Sequence, residues 1–527
     1  MKSIEYFHIT SYDEVNRLIK IIIGVESNCD IEFPKSQSFS LYPQNWLLKV
    51  MQTINFPFDA VLENYHIDRV FRDSYYIYFS NQHFNSSRFC KRLSFFKMGD
   101  NHICEEMFFS EDGRKKIKDT FIGSCVIKPT IKGSIGKTLL DPSIFIPNNH
   151  TDYLYERLTD FTININGLPL KIRSFPYSMQ DTETTSCAEI TLINIIEYFA
   201  NRYADYKFIY PSDIVKIVKK DSFERVLPTR GMKYTQLAKV FTEAGFSPRL
   251  YFAQTLQFEG FSLKKIWHYY IESGIPVAMA LNDTETVGHS IIGIGHSSKK
   301  KDYSEATLTH RNGFSFIDTA DLYEDYVIMD DNNIPFSIRS YEQLTLKDLK
   351  PMALAVPLAK RMFMEAKDAF DIALNIITSD VFKFRELSQP FEKYKCLGDV
   401  NNPFILRLFL TSAKSYKLYR ISCKEDDILL KRIYANVPLP RFIWICEIYT
   451  KQGYRENRTI GEIVLDATSS GKSNFNSLVS LRYLDRFAVR TPEETFYEMS
   501  EFFLKKKLSD FKTLTGFKGN LIQVPFC

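Results

Sequence analysis

Residues 184–199 read TTSCAEITLINIIEYF, and no other stretch limits the fold as much. Ser186 followed by Glu189 fits a capping box, in which the hydroxyl meets the N3 amide and the carboxylate returns to the N-cap amide. Cys187 is then the first helical residue. Leu192, Ile195, Ile196 and Phe199 follow at helical spacing, so the helix carries an apolar stripe that has to be buried. Material for a large core is at hand: 45% of the chain is hydrophobic, with 44 Phe and 30 Tyr.

Further helices are expected at 211–220, 233–244 and 264–273, the last two ended by Gly245 and Gly274. Strand patterns follow at 276–282 (PVAMALN), 288–297 (GHSIIGIGHS) and 325–330 (DYVIMD). Helices first and strands after is an α+β order, and it defines a central domain over 166–345. Residues 1–165 mix aromatic-rich segments with polar turns, and 121–142 (FIGSCVIKPTIKGSIGKTLLDP) reads as strands, so this part is mixed α/β. Residues 346–527 open on a helix at 362–377 and continue with strands at 441–450 and 461–467. The stretches 474–489 and 494–508 read as helical. Three domains suit 527 residues at about 100–200 residues each.

Other properties limit the function. A net charge of +4 is too small for nucleic-acid binding. The longest apolar runs, such as LIKIIIGV (18–25), are too short to span a membrane. The opening MKSIEYFHITSYDEVNRL has no apolar core of a secretion signal. Nine cysteines at scattered positions form no CxxC pair, which fits reduced thiols in a cytoplasm. The abundance of Ile, Lys, Asn, Phe and Tyr points to a bacterial source.

A thiol at a helix N-terminus sees free N–H groups and the positive end of the helix dipole, which favour thiolate. By itself this leaves Cys187 open between a nucleophile and a small core residue. Catalysis needs a base in reach and a group that orients the base. His289 starts a Gly-punctuated strand about a hundred residues on. The strand DYVIMDD ends in Asp330 and Asp331, of which alternation lets only one face His289; Asp330 is preferred. Gln180 is placed to donate its amide to an oxyanion together with the Cys187 N–H.

In this order of Gln, Cys, His and Asp, residues 175–337 resemble a papain-like cysteine peptidase, most similar to bacterial double-glycine leader (bacteriocin-processing) peptidases. The resemblance rests on Gln180, Cys187, GIPVAMAL (274–281), Gly288-His289 within VGHSIIGIGH, YVIMDDNNIPF (326–336) and GMKYTQLAKVFTEAGF (231–246). Ala188 stands where that family has Gly, and a stretch of about thirty residues (296–325) separates the His and Asp strands. That insert reads as a substrate loop or a regulatory flap. The resemblance implies peptide hydrolysis through a Cys187-His289-Asp330 triad, with Asp331 as the alternative third member and Gln180 at the oxyanion. The substrate would be an intracellular protein or peptide. The same triad would also serve a deamidase or a transglutaminase-like acyltransferase, and an inactive papain-like fold would serve as a binding module. No cofactor is implied, and the oligomeric state stays open.

The remaining candidates carry structural readings. His296 has no further ligands at metal spacing, so no metal site is assigned. His268 and His310 read as surface or satisfied structural residues. DATSSGKS (466–473) lacks the first glycine of a phosphate loop and reads as a turn. Cys125 sits in a strand and reads as core.

Overall fold

The computed structural model describes residues 3–24, 43–83, 86–99, 102–130, 134–145, 153–282, 288–344, 349–379, 397–424, 426, 428–471, 476–484, 486–490, 500–503, 511–512 and 520–524. It is an α+β structure. The first sheet is antiparallel, with Ile4–Ile9, Phe58–His66, Cys90–Phe96, Phe121–Lys128 and Ser134–Leu140 in chain order. The helices Tyr12–Ile23 and Pro43–Thr53 bury Val15, Leu18, Trp46 and Leu47 in the same core as one face of this sheet.

The central sheet places Gly288–Ser297 between Asp325–Met329 and Val277–Asn282. Lys350–Val356 and Arg249–Phe252 continue it on one side and Ser337–Ser340 on the other, all antiparallel. Its inner strands, Val277–Asn282, Gly288–Ser297 and Asp325–Met329, are mostly buried because both faces are covered. Ala278, Ile292, Val327 and Ala355 pack with Leu192, Ile195 and Ile196 of the Cys187–Arg202 helix and with the N-terminal core. Their neighbours Val277, Ile291, Ile328 and Leu354 pack with Trp267 and Tyr270 of the Leu263–Glu272 helix, and with Phe404 and Trp444 beyond it. The glycines of the His strand are where neighbours come closest. A Cβ at Gly293 would overlap the Trp267 indole, and one at Gly295 the Tyr155 carbonyl.

Elements outside 166–345 join this centre. Leu154–Glu156 pairs with the His strand and with Ile522–Val524. The stretch 296–325, read as a loop or flap, instead contributes Leu308–Arg311 and Phe314–Asp318 to the C-terminal sheet. There Phe316 lies opposite Phe404 in a parallel pair. The apolar FSFID segment is fully buried in this position. The junction also holds a buried ionic network: Arg407 donates to Glu272 and Glu447, and Glu272 bonds His296 Nε2 at 2.7 Å.

The helical reading of 474–489 is corrected. Leu478–Arg482 and Arg486–Val489 are strands of the C-terminal sheet. Leu478, Val479, Leu481, Tyr483 and Leu484 are all buried, and a run buried on every side has no period to tell strand from helix. Within 494–508, Ser500–Phe503 is likewise a strand, and the rest lies outside the described residues.

Glu156 is fully buried, and its carboxylate oxygens have no hydrogen-bond partner among the described residues. Burial, helped by the charge of Asp141, pushes its pKa up to about 8. The native state therefore keeps a proton that an unfolded glutamate loses near pH ~4.3. Stability falls as pH rises through that window, because the unfolded chain binds fewer protons. Glu156→Gln is expected to raise Tm at pH 9 by a few degrees and to change it little at pH 5. Scanning calorimetry at the two pH values checks this.

Candidate active site

The loop before Cys187 is fixed by one carboxylate. Buried Asp181 accepts from the amides of Glu183, Thr184 and Thr185 at 3.0, 2.7 and 2.9 Å, and from the Thr184 hydroxyl at 2.6 Å. Lys128 Nζ lies 3.9 Å from this carboxylate and donates to the Met179 carbonyl at 3.1 Å. Ser134 donates to the Gln180 carbonyl at 3.1 Å. The chain then turns into the Cys187–Arg202 helix, with Ser186 extended at the N-cap. The Ser186 amide donates to the Glu189 carboxylate at 3.0 Å, and that carboxylate also accepts from Thr229 at 2.8 Å. Cys187 is thereby held half-buried at the first position of the helix.

The antiparallel strands supply the partners. His289 lies on the Gly288–Ser297 strand opposite Leu281. The adjacent strand ends at Met329, and Asp330 follows it directly. His289 Nε2 and Asp330 Oδ1 are 2.8 Å apart, and the Cys187 thiol is near enough to the His289 ring to favour its charged form. With Nε2 given to Asp330, Nδ1 is the nitrogen left for the thiol. Asp331 is also close, with Oδ1 3.7 Å from Nε2. Alternation does not separate the two aspartates here, because the strand has already ended and the chain is turning.

Their surroundings separate them. Asp330 accepts from the Asn332 amide at 3.0 Å and the Asn333 side chain at 2.7 Å, and Arg339 lies 3.1 Å away. Burial opposes its charge, but the His289 hydrogen bond and the charges of His289 and Arg339 prevail, and its pKa falls to about 2. Asp331 has no hydrogen-bond partner of good geometry for either oxygen among the described residues, although the Gln180 amide faces it. Burial, with the Asp330 charge adding, pushes it up to about 7 against the opposing charge of His289. Burial also works against the His289 imidazolium. The hydrogen bond to Asp330, the nearby Cys187 thiol and the two carboxylate charges outweigh it and raise His289 well above the usual histidine range.

Cys187, His289 and Asp330 open on a cleft of about 890 Å³, which Gln180 and Ala188 also line. Its walls mix polar groups such as Thr229 and Asn332 with small and apolar ones. Ligand atoms of His289, Asp330 and Asp331 lie within 4.8 Å of one another. The Arg339 guanidinium on Asp330 already supplies the positive charge a cation would bring there.

Asp181, Ser134, Asn332, Asn333 and Arg339 were not legible as site residues. Two local signals existed: DTETT is the pattern of a carboxylate capping its own turn, and DDNN puts amide donors beside carboxylates. His268, His296, His310 and Cys125 lie away from the cleft. His268 is fully buried, and its pKa is pushed down to about 3 by burial. His310 bonds Ser315 at 2.9 Å, and Cys125 is core. The DATSSGKS turn is closed by Asp466, which accepts from the Thr468 amide at 2.7 Å; residues 472–475 lie outside the described ones. No helix among the described residues is long and apolar enough to cross a membrane. No protein-family model and no curated protein matches the chain.

Proposed function

We propose that this chain is a papain-like cysteine peptidase that cleaves an intracellular protein or peptide through Cys187, His289 and Asp330. The observation that carries this reading is the relay itself. A thiol at a helix N-terminus faces the same cleft as an imidazole whose Nε2 lies 2.8 Å from a buried carboxylate. The flanking regions, 1–165 and 346–527, would select the substrate or restrain the enzyme. The scattered, unpatterned cysteines favour the cytoplasm.

In this reading His289 already holds the thiol proton on Nδ1, Cys187 stands as thiolate, and Sγ attacks the scissile carbonyl carbon. The oxyanion is met by the Cys187 N–H and the Gln180 carboxamide. His289 then protonates the leaving amine, the C–N bond breaks and a thioester remains. Water, deprotonated by the same ring, attacks the thioester, releases the acid and restores the thiol. Asp330 accepts from Nε2–H throughout and keeps Nδ1 free to act as base.

Alkylation tests the relay without a substrate. Iodoacetamide at limiting concentration, followed by mass mapping, is expected to label Cys187 ahead of exposed Cys104. His289→Ala should remove that preference. Equal labelling of the two thiols in the wild type would sink the reading.

A further inference from the structure

Away from the cleft, three side chains from separate segments converge on the N-terminal sheet. His8, on the Ile4–Ile9 strand, lies in register with Asp59 on the Phe58–His66 strand. Its Nδ1 stands 2.6 Å from Asp59 Oδ1. His102 follows the Cys90–Phe96 strand and brings its own Nδ1 to 4.0 Å from the same oxygen. The two imidazole centroids are 3.7 Å apart, and the candidate ligand atoms of the three residues all lie within 4.8 Å of one another.

An ordinary ion pair accounts for His8 and Asp59 but not for His102. A second imidazole adds nothing to that pair, and two imidazolium rings so close would repel each other. Asp59 is also held in a particular way. It is 1% exposed, and its Oδ2 accepts from the Ile103 amide at 2.9 Å, so the backbone next to His102 is fastened to the carboxylate. A carboxylate whose second oxygen is tied down by an outer hydrogen bond, beside two convergent imidazoles, is the pattern of a metal centre. The His102 and His8 side chains are 59% and 29% exposed, which leaves a route for an ion and a position open to water.

We propose that His8, Asp59 and His102 bind a divalent transition-metal ion, zinc first among them. Two imidazoles with one carboxylate suit zinc and its first-row neighbours, whereas calcium and magnesium prefer oxygen ligands throughout. Ligand atoms on a tetrahedral zinc at ~2.0–2.1 Å stand roughly 3.3 Å apart. The observed separations of 2.6 and 4.0 Å lie on either side of that value, so a small movement of the exposed His102 ring closes the site. The metal takes the place of the His8–Asp59 hydrogen bond, and water takes the fourth position. Ligands at 8, 59 and 102 make no contiguous motif, which is why the sequence does not announce the site.

Calorimetric titration with Zn²⁺ tests this on the full chain carrying Cys187→Ala, stripped of metal and free of any histidine tag. Removing the thiol keeps the cleft from offering a cysteine ligand. One ion per chain is expected. Adding His102→Ala should weaken binding at least about tenfold, while adding His289→Ala should leave it unchanged. Because His102 is exposed, its loss should not move the melting temperature of the metal-free chain but should remove the increase that zinc gives. The proposal is overturned if zinc does not bind, if His102→Ala binds it as tightly as its parent, or if His289→Ala is the substitution that removes binding.

Discussion

On the peptidase reading, Cys187→Ala is expected to abolish proteolysis, lowering turnover by roughly 10³-fold or more, since Cys187 is the residue that forms the acyl-enzyme in it. Alanine is the strongest helix former, and Cys187 is half-buried at the first helical position. Its replacement deletes one sulfur and leaves the Ser186–Glu189 cap untouched. The melting temperature should therefore stay within a degree or two of the wild type. Expressing the wild type and the variant in the same cells and comparing all new protein termini reads the effect directly. Termini made by the wild type and missing with Cys187→Ala identify both activity and substrate. If the same termini arise with the variant, Cys187 is not the nucleophile. A third outcome separates the rival chemistry: no new termini, but glutamine residues converted to glutamate only by the wild type, would assign a deamidase.

The parts of the site that were legible rest on local signals. A cap and an apolar stripe define the Cys187 helix within sixteen residues, and Gly288-His289 opens a strand whose glycines mark tight packing against Trp267 and Tyr155. Each of these can be read without knowing its neighbours. What could not be read depends on partners far along the chain. Phe316 meets Phe404 across a parallel pair, so Leu308–Arg311 and Phe314–Asp318, in the middle of 296–325, are strands of the C-terminal sheet. Arg339 reaches Asp330 only because Asp325–Met329 and Ser337–Ser340 pair. His8, Asp59 and His102 are brought together by strand register and a loop. Strands buried on both sides, such as Leu478–Arg482, lose the alternation that would identify them. The burial of both faces of the central sheet also ties the regions together. The Cys helix rests on one face, and the C-terminal sheet reaches the other through Trp267 and Tyr270.

Asp330→Asn should cost nearly as much as losing the base, and the hydrogen bonds around it say why. The hydrogen-bond and ion-pair partners of the Asp330 carboxylate among the described residues are donors: His289 on Oδ1, the Asn332 amide on Oδ1, and Asn333 and Arg339 on Oδ2. An asparagine must turn its NH₂ toward one of these sides. Turned to His289, it donates to Nε2, moves the ring proton to Nδ1 and leaves no lone pair for the thiol. Turned the other way, it sets its NH₂ against Arg339 and Asn333. The first choice disables the relay by the tautomer argument known for catalytic triads, and the second keeps the tautomer but loses the carboxylate charge and sets donor against donor, so the expected loss in kcat/KM is roughly 10²–10⁴-fold. Asp331→Asn removes a carboxylate that has no hydrogen bond of good geometry among the described residues to lose, and should cost less than about tenfold. It should also change the pH profile. With the Asp331 pKa near 7, its charge appears as pH rises through neutrality and further favours the His289 imidazolium. The inflection this adds near pH 7 should vanish in Asp331→Asn and persist in any activity left to Asp330→Asn. The rate of Cys187 alkylation, or hydrolysis of the substrate found by terminus mapping, measured from pH 5 to 9, gives both numbers. A greater loss with Asp331→Asn than with Asp330→Asn would move the orienting role to Asp331, despite the 2.8 Å contact that Asp330 makes.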